Sequence, residues 1–197
     1  MLEEYQQRYS EKIRLLLPAD NIGVMANLMA VINACQGPYV ALLEEDDCWT
    51  YPQKLQRQVD FLDANPEISL CIHDAELFWD DQHEPAYPHS QVKTQLQNGE
   101  AEFTHADIVR DGWFISTASI VFRRSSLPFL PNWLLNIFSG DYSLHLLISA
   151  AGKVKYLPTI MSGYRQHAGG ISQQKYNPAL VTRKISENGS YRQHFDQ

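Results

Sequence analysis

The sequence predicts an α/β fold, a mainly parallel sheet flanked by helices, and three observations lead there. Helix and strand patterns alternate from Leu2 to Ile72, the signature of crossover units. Two strands read as unbroken apolar runs, Tyr39 to Leu43 and Ile68 to Ile72, as expected of strands covered on both faces. The first of these delivers Glu44, Glu45, Asp46 and Asp47 to its carboxyl end, where open α/β sheets place their chemistry.

Taken in order, Leu2, Tyr5 and Tyr9 recur at helical spacing over Leu2 to Glu11, and Ile13 to Leu17 reads as a short buried strand stopped by Pro18. Asn21 and Gly23 form a turn before a helix whose apolar face holds Leu28, Val31, Ile32 and Cys35, with Gly37 as its terminating glycine. After the acidic run, Thr50 is the expected N-cap and Pro52 a first-turn residue of a helix facing inward through Leu55, Val59 and Leu62, broken at Asn65 and Pro66. Asp80 to Gly99 is polar and aperiodic, with Pro85 and Pro88, and predicts a long irregular loop.

Thr104 caps a short helix to Arg110, and Phe114 to Phe122 is rich in β-branched and aromatic residues, a strand ending in Arg123 and Arg124. Leu144, Leu147, Ile148 and Ala151 define an amphipathic helix closed by Gly152, with Asp141 near its start. Val154 to Leu157 is a last short strand, and Tyr164 to Gly170 a polar turn. From Gln173 the chain is polar and weakly patterned. This organisation predicts one domain over residues 1–172 and a polar tail over 173–197.

The 197 residues are 44% apolar and 20% charged, ordinary globular composition for one core. A formal charge of −7 and a pI near 5.4 argue against a nucleic-acid partner, which needs clustered Lys and Arg. Cys35, Cys48 and Cys71 are odd in number and widely spaced, so no disulfide framework is expected, and a reducing, cytoplasmic setting fits. No export signal or membrane span is legible.

Adjacent carboxylates repel, and the usual compensation is a divalent cation or a set of backbone donors. The residues around the acidic run carry more than that. Asn21-x-Gly23, the stretch Gly37-x-Tyr39 through Asp47-x-Trp49, the helix start Pro52-x-Lys54-Leu55, Ser116 to Ser119 before Phe122-Arg123, Gly140-Asp141-x-x-Leu144, and Tyr164-Arg165-x-His167 together resemble a family 2 glycosyltransferase. The match in order and spacing runs from Met1 to about Ser172.

The resemblance implies a GT-A fold, a Rossmann-like sheet that binds a nucleotide-diphosphate sugar and Mn²⁺ or Mg²⁺, and inverting transfer to a hydroxyl of a glycan or lipid-linked acceptor in cell-surface polysaccharide synthesis. It implies that Asp46 and Asp47 hold the metal, that Glu44 contacts the ribose or a metal-bound water, that Asp141 is the base, and that Arg165 and His167 approach the diphosphate. Members of the family open with a strand, a helix and a second strand that grip the nucleoside. A unit of that kind takes about 30 residues, and none precedes the matched region, so an N-terminally truncated domain is the expectation.

Simpler readings stand beside these: a solvated acidic loop for Glu44 to Asp47, a helix-dipole carboxylate for Asp141, and a structural turn for Arg165 and His167. Trp49 reads as a packing anchor, Cys48 as a small filler, and Arg123 and Arg124 as exposed charge. His73 and Asp74 end a strand, undecided between structure and the acceptor. A non-catalytic remnant that binds or scaffolds is the alternative function, and a metal-dependent nucleotidyltransferase a weaker third. Peripheral association with the inner face of a membrane and homo-oligomerisation complete the expectations.

Overall fold

The computed structural model describes residues 1–80, 85–137 and 139–167; the expected tail over 173–197 and the end of the polar turn fall outside the described residues. The elements are α1 (Leu2–Arg8), α2 (Val24–Ala34), β1 (Tyr39–Ala41), β2 (Cys48–Trp49), α3 (Lys54–Ala64), β3 (Ile68–Trp79), β4 (Tyr87–Pro88), β5 (Ala101–Phe103), α4 (His105–Asp111), β6 (Val121–Arg123), α5 (Gly140–Ser149) and β7 (Lys153–Gln166). The strands form one sheet in the order β1-β6-β3-β7-β2, with β4 on β3 and β5 on β7.

The parallel character lies in the central pair, where β3 and β7 run side by side from Ile68 opposite Lys153 to Trp79 opposite Gln166. The shorter strands around that pair are antiparallel, which makes the sheet mixed. The ladder slips around Asp74, opposite the stretch of β7 that holds Pro158. A proline cannot donate to a ladder and is confined to such irregular positions. With helices on both faces, this is an α/β fold of GT-A type.

Successive side chains of a strand point to opposite faces, and the core divides accordingly. Leu70, Ile72, Phe122 and Tyr156 pack with Ile108 of α4 and Leu144 and Ile148 of α5. Ile68, Cys71, Val121 and Met161 pack beneath Leu62 of α3. The face of α2 that meets the core is Met25, Leu28 and Ile32, while Val31 is exposed.

Several elements differ from expectation, each for a local reason. Ile13 to Leu17 forms no strand: it pairs with no ladder among the described residues, and Leu17 is exposed. Gly37 does not adopt a left-handed conformation, and α2 instead ends on an extended Cys35. Helix α3 starts only at Lys54, because the Thr50 N–H donates to Met161 O of β7, which holds Thr50 on the sheet side rather than at a cap. Within Phe114 to Phe122 only the end joins the ladder, since Ser119 donates from both N–H and Oγ to Ser116 O and closes a 3₁₀ turn. Strand β7 runs on through Tyr164, Arg165 and Gln166, so the expected polar turn is strand up to Gln166.

Of the segment expected to be an irregular loop, the described residues from 85 to 99 carry the two-residue strand β4 on β3 and 3₁₀ turns at His89–Gln91 and Thr94–Leu96. Buried Asp74 anchors it, accepting from Ser90 N at 3.0 Å and Ser90 Oγ at 2.6 Å. Thr104 caps α4 in a reciprocal capping box with Asp107. Arg123 is not exposed charge. Its guanidinium donates to Ile68 O at 3.2 Å, to Tyr39 Oη at 3.1 Å and to Leu62 O, tying β6 to the end of α3, while Arg124 is exposed.

Candidate functional site

Beyond Ala41 the chain leaves the ladder, with Leu42 N still donating to Ile120 O at 3.3 Å. The acidic run then turns tightly, Asp47 N donating to Glu44 O at 3.2 Å. The turn is held because the next two residues form β2, with Cys48 opposite Gly163 and Trp49 opposite Ser162. The Trp49 indole N–H donates to Ala118 O at 3.1 Å, and the ammonium of Lys54 lies 4.5 Å from the ring centroid. Trp49 is thus the packing anchor expected, fastening the acidic turn to the Ser116–Ser119 segment.

Strand β7 brings two residues to the acids. Arg165 N–H donates to Asp47 Oδ1 at 3.0 Å, and His167 Nε2 lies 3.4 Å from Asp46 Oδ2. The Arg165 guanidinium points elsewhere, gripping Asp80 through Nε and through Nη2 at 2.6 Å. Oδ2 of Asp47 is buried with no hydrogen-bond partner among the described residues. A buried carboxylate oxygen without a donor is costly unless a charge compensates it.

The electrostatics report the same deficit. Burial pushes the Asp47 carboxyl up to about 6, opposed by the Arg165 N–H and reinforced by Asp46. Glu44 is exposed along part of its side chain, yet desolvation of its carboxyl pushes it up to about 7, helped by the charges of Asp141, Asp47 and Asp46. A hydrogen bond with Thr117 pulls Glu44 the other way. Like charges crowd at this turn.

Asp141, half-buried, is the second residue of α5, close enough to Glu44 for their charges to interact. The start of α5 presses against α2 at Gly140, where a Cβ would meet Met25 Sδ at 2.5 Å and have to displace that side chain. The fold therefore gathers Glu44, Asp46, Asp47, Asp141, the Arg165 backbone and His167 at one end of the sheet. His73 and Asp74 belong to the interior instead, both nearly fully buried. An open cleft of about 430 Å³, lined by Pro38, Tyr39 and Arg124 among others, lies at the other end of β1, away from the acids.

Of the inward face expected of α3, Leu62 is buried and Val59 partly so, but Leu55 is exposed. Sequence reasoning missed Lys54 and Gln58, which are buried, with Gln58 Nε2 donating at 2.8 Å to both Cys71 O and Ser119 O. Burial lowers Lys54 to about 8. It also missed Asp80, the partner of Arg165, and Thr117. Nothing in a polar i, i+4 pair marks it as inward, because that spacing is equally that of a solvated face.

An acidic turn at the carboxyl end of a strand, faced by a helix-borne carboxylate in a GT-A type sheet, is the layout of a sugar-transfer domain. The chain belongs to glycosyl transferase family 2, whose model matches residues 1–127. Uncharacterized proteins of Mycobacterium tuberculosis and Mycobacterium bovis are 35% identical over 177 residues, 89% of this chain and 48% of theirs. An uncharacterized glycosyltransferase of Methanocaldococcus jannaschii is 29% identical over 72 residues, 36% of this chain and 24% of that protein. The chain spans about half the length of the mycobacterial relatives it matches. Among the described residues no helix is long and apolar enough to cross a membrane.

Proposed function

We propose that this chain transfers a sugar, with inversion, from a nucleotide-diphosphate sugar to an acceptor hydroxyl, with Mn²⁺ or Mg²⁺ at the acidic turn. The observation that carries the reading is the buried Oδ2 of Asp47, without a hydrogen-bond partner among the described residues, beside Asp46 and in a turn where burial pushes the carboxyls of Asp47 and Glu44 up. Among the described residues no three His, Cys, Asp or Glu side chains converge to hold a metal alone. That fits a hard cation taken on one or two carboxylates, with substrate phosphates and water completing its shell.

Asp46 and Asp47 would hold the ion, and bound there it would supply Lewis-acid neutralisation of the departing diphosphate. Asp141 takes the proton of the acceptor hydroxyl as its oxygen bonds to the anomeric carbon and the sugar–phosphate bond breaks, its electron pair leaving with the diphosphate. Glu44, whose charge interacts with that of Asp141, contacts the ribose or a metal-bound water. His167 and the Arg165 N–H orient the two aspartates, and the Arg165 guanidinium is a donor for phosphate once it parts from Asp80. A glycan or lipid-linked acceptor in cell-surface polysaccharide synthesis completes the proposal.

Turnover tests it. A panel of nucleotide-diphosphate sugars incubated with the chain and Mn²⁺ should yield metal-dependent transfer or slow hydrolysis, abolished by chelator. Hydrolysis that ignores chelator, or none with any donor by a folded chain, contradicts it. A second reading, a domain that binds glycan without transferring it, is favoured by the Arg165 guanidinium being already engaged by Asp80. Acceptor binding with no nucleotide affinity supports that one.

A further inference from the structure

Asp141 and Leu147 excepted, every residue of α5 is buried, four of them with polar or titratable side chains: Tyr142, whose Oη donates to Ile108 O at 3.4 Å, Ser143, His145 and Ser149. The serines are satisfied. Ser143 Oγ donates to Ser139 O at 2.9 Å, and Ser149 Oγ meets Leu146 O at 3.2 Å and His105 Nδ1 at 2.9 Å. His145 is fully buried, yet neither of its ring nitrogens has a hydrogen-bond partner among the described residues.

A buried polar atom left unpaired costs about 1–3 kcal/mol, so a phenylalanine or leucine would serve a purely structural role better. Burial holds the ring neutral, lowering it to about 4, with one N–H to donate and one lone pair. The charge that acts on it is that of Asp141, one helical turn earlier at the i, i+4 spacing that places two side chains on one face. Asp141 in turn is faced across the site by Glu44 of the acidic turn.

We infer that His145 is a positioning residue for Asp141: its buried ring donates an N–H to the inner carboxylate oxygen when Asp141 turns to receive the acceptor hydroxyl, leaving the outer oxygen as the base. This rests on the reading of Asp141 as the base. The donor sits on the buried face of α5, where packing restricts its rotamers, so the carboxylate is oriented at little entropic cost. The same N–H favours the ionised carboxylate that general-base action requires.

The test combines kinetics with a spectroscopic readout on the full chain. His145→Phe should lower kcat about tenfold, a typical penalty for a misaligned catalytic group, leave the donor KM unchanged and raise Tm. His145→Gln, which keeps an N–H donor, should recover part of kcat. In ¹⁵N-histidine-labelled protein, Asp141→Ala should shift the ring-nitrogen resonances of His145. Unchanged kcat in His145→Phe, or unmoved His145 resonances in Asp141→Ala, overturns the proposal. The reading beneath it fails differently: Asp141→Ala retaining full transfer removes the base itself, whatever His145 does.

Discussion

Replacing Asp47 by Asn removes a charge that the metal-free fold tolerates poorly. The Asp47 carboxyl stands at about 6 against 3.8 for the ordinary group. Two pH units at about 1.4 kcal/mol each amount to roughly 3 kcal/mol, discounted to about 1–2 for a half-buried group with access to water. The sign follows from proton binding. Between these two values the folded state binds more protons than the unfolded, so stability falls as pH rises from about 4 to 6, and Glu44 extends the decline to about 7. In chelator at pH 8, Asp47→Asn should therefore be more stable than wild type by about 1–2 kcal/mol in urea melts, or about 2–8 °C in Tm for a chain of this size. At pH 4 the difference should vanish. Adding Mn²⁺ at pH 8 should raise the Tm of wild type, by linkage to binding, and not that of the variant. A variant less stable than wild type at pH 8, together with a wild type indifferent to Mn²⁺, refutes the account of the acidic turn.

Asp141→Asn should lower kcat by about 10²–10⁴-fold with little change in donor KM, the loss expected of a general base; steady-state kinetics with saturating Mn²⁺ check this, and an equal loss of donor affinity counts against it. Asp80→Ala releases the Arg165 guanidinium, so the donor KM should fall severalfold, measured against a folded control, and a rise would make the ion pair part of the donor site instead. Arg123→Met breaks the bonds to Ile68 O, Leu62 O and Tyr39 Oη, and should cost about 2–4 kcal/mol in urea melts, charged hydrogen bonds being worth about 1.5–3 each. Its Mn²⁺ affinity should stay that of wild type, since Arg123 ends β6 opposite Tyr39, at the end of β1 away from the acids.

The acidic turn was legible because apolar run and carboxylates are contiguous there, whereas Asp141 was singled out only by the family resemblance of Gly140-Asp141-x-x-Leu144, its helix-start position pointing equally to a dipole carboxylate. Arg165 and His167 were legible as types, but their element was not: Pro158 suggests a break, and only pairing along β3 carries β7 past it to Gln166. The inner face of α3 was hidden for a different reason. Gln58 and Lys54 are polar, and what turns them inward is a pair of carbonyls on β3 and the Ser116–Ser119 turn, together with the Trp49 ring, all brought up by tertiary structure. Arg123 misleads in the same way, as a charge at a strand end whose partners are backbone oxygens distant in sequence. His145 could not be singled out from spacing, since a histidine on a buried helix face looks like any core position until its missing partners are counted.

The central claim is that the acidic turn is a cation site shared with a sugar diphosphate. Titration calorimetry of a nucleotide-diphosphate sugar into the chain, with Mn²⁺ and then with chelator, measures it directly. The account predicts binding with Mn²⁺ that is lost in chelator and lost in Asp46→Asn and Asp47→Asn. Binding of equal strength with and without the metal, or retained by both variants, contradicts it.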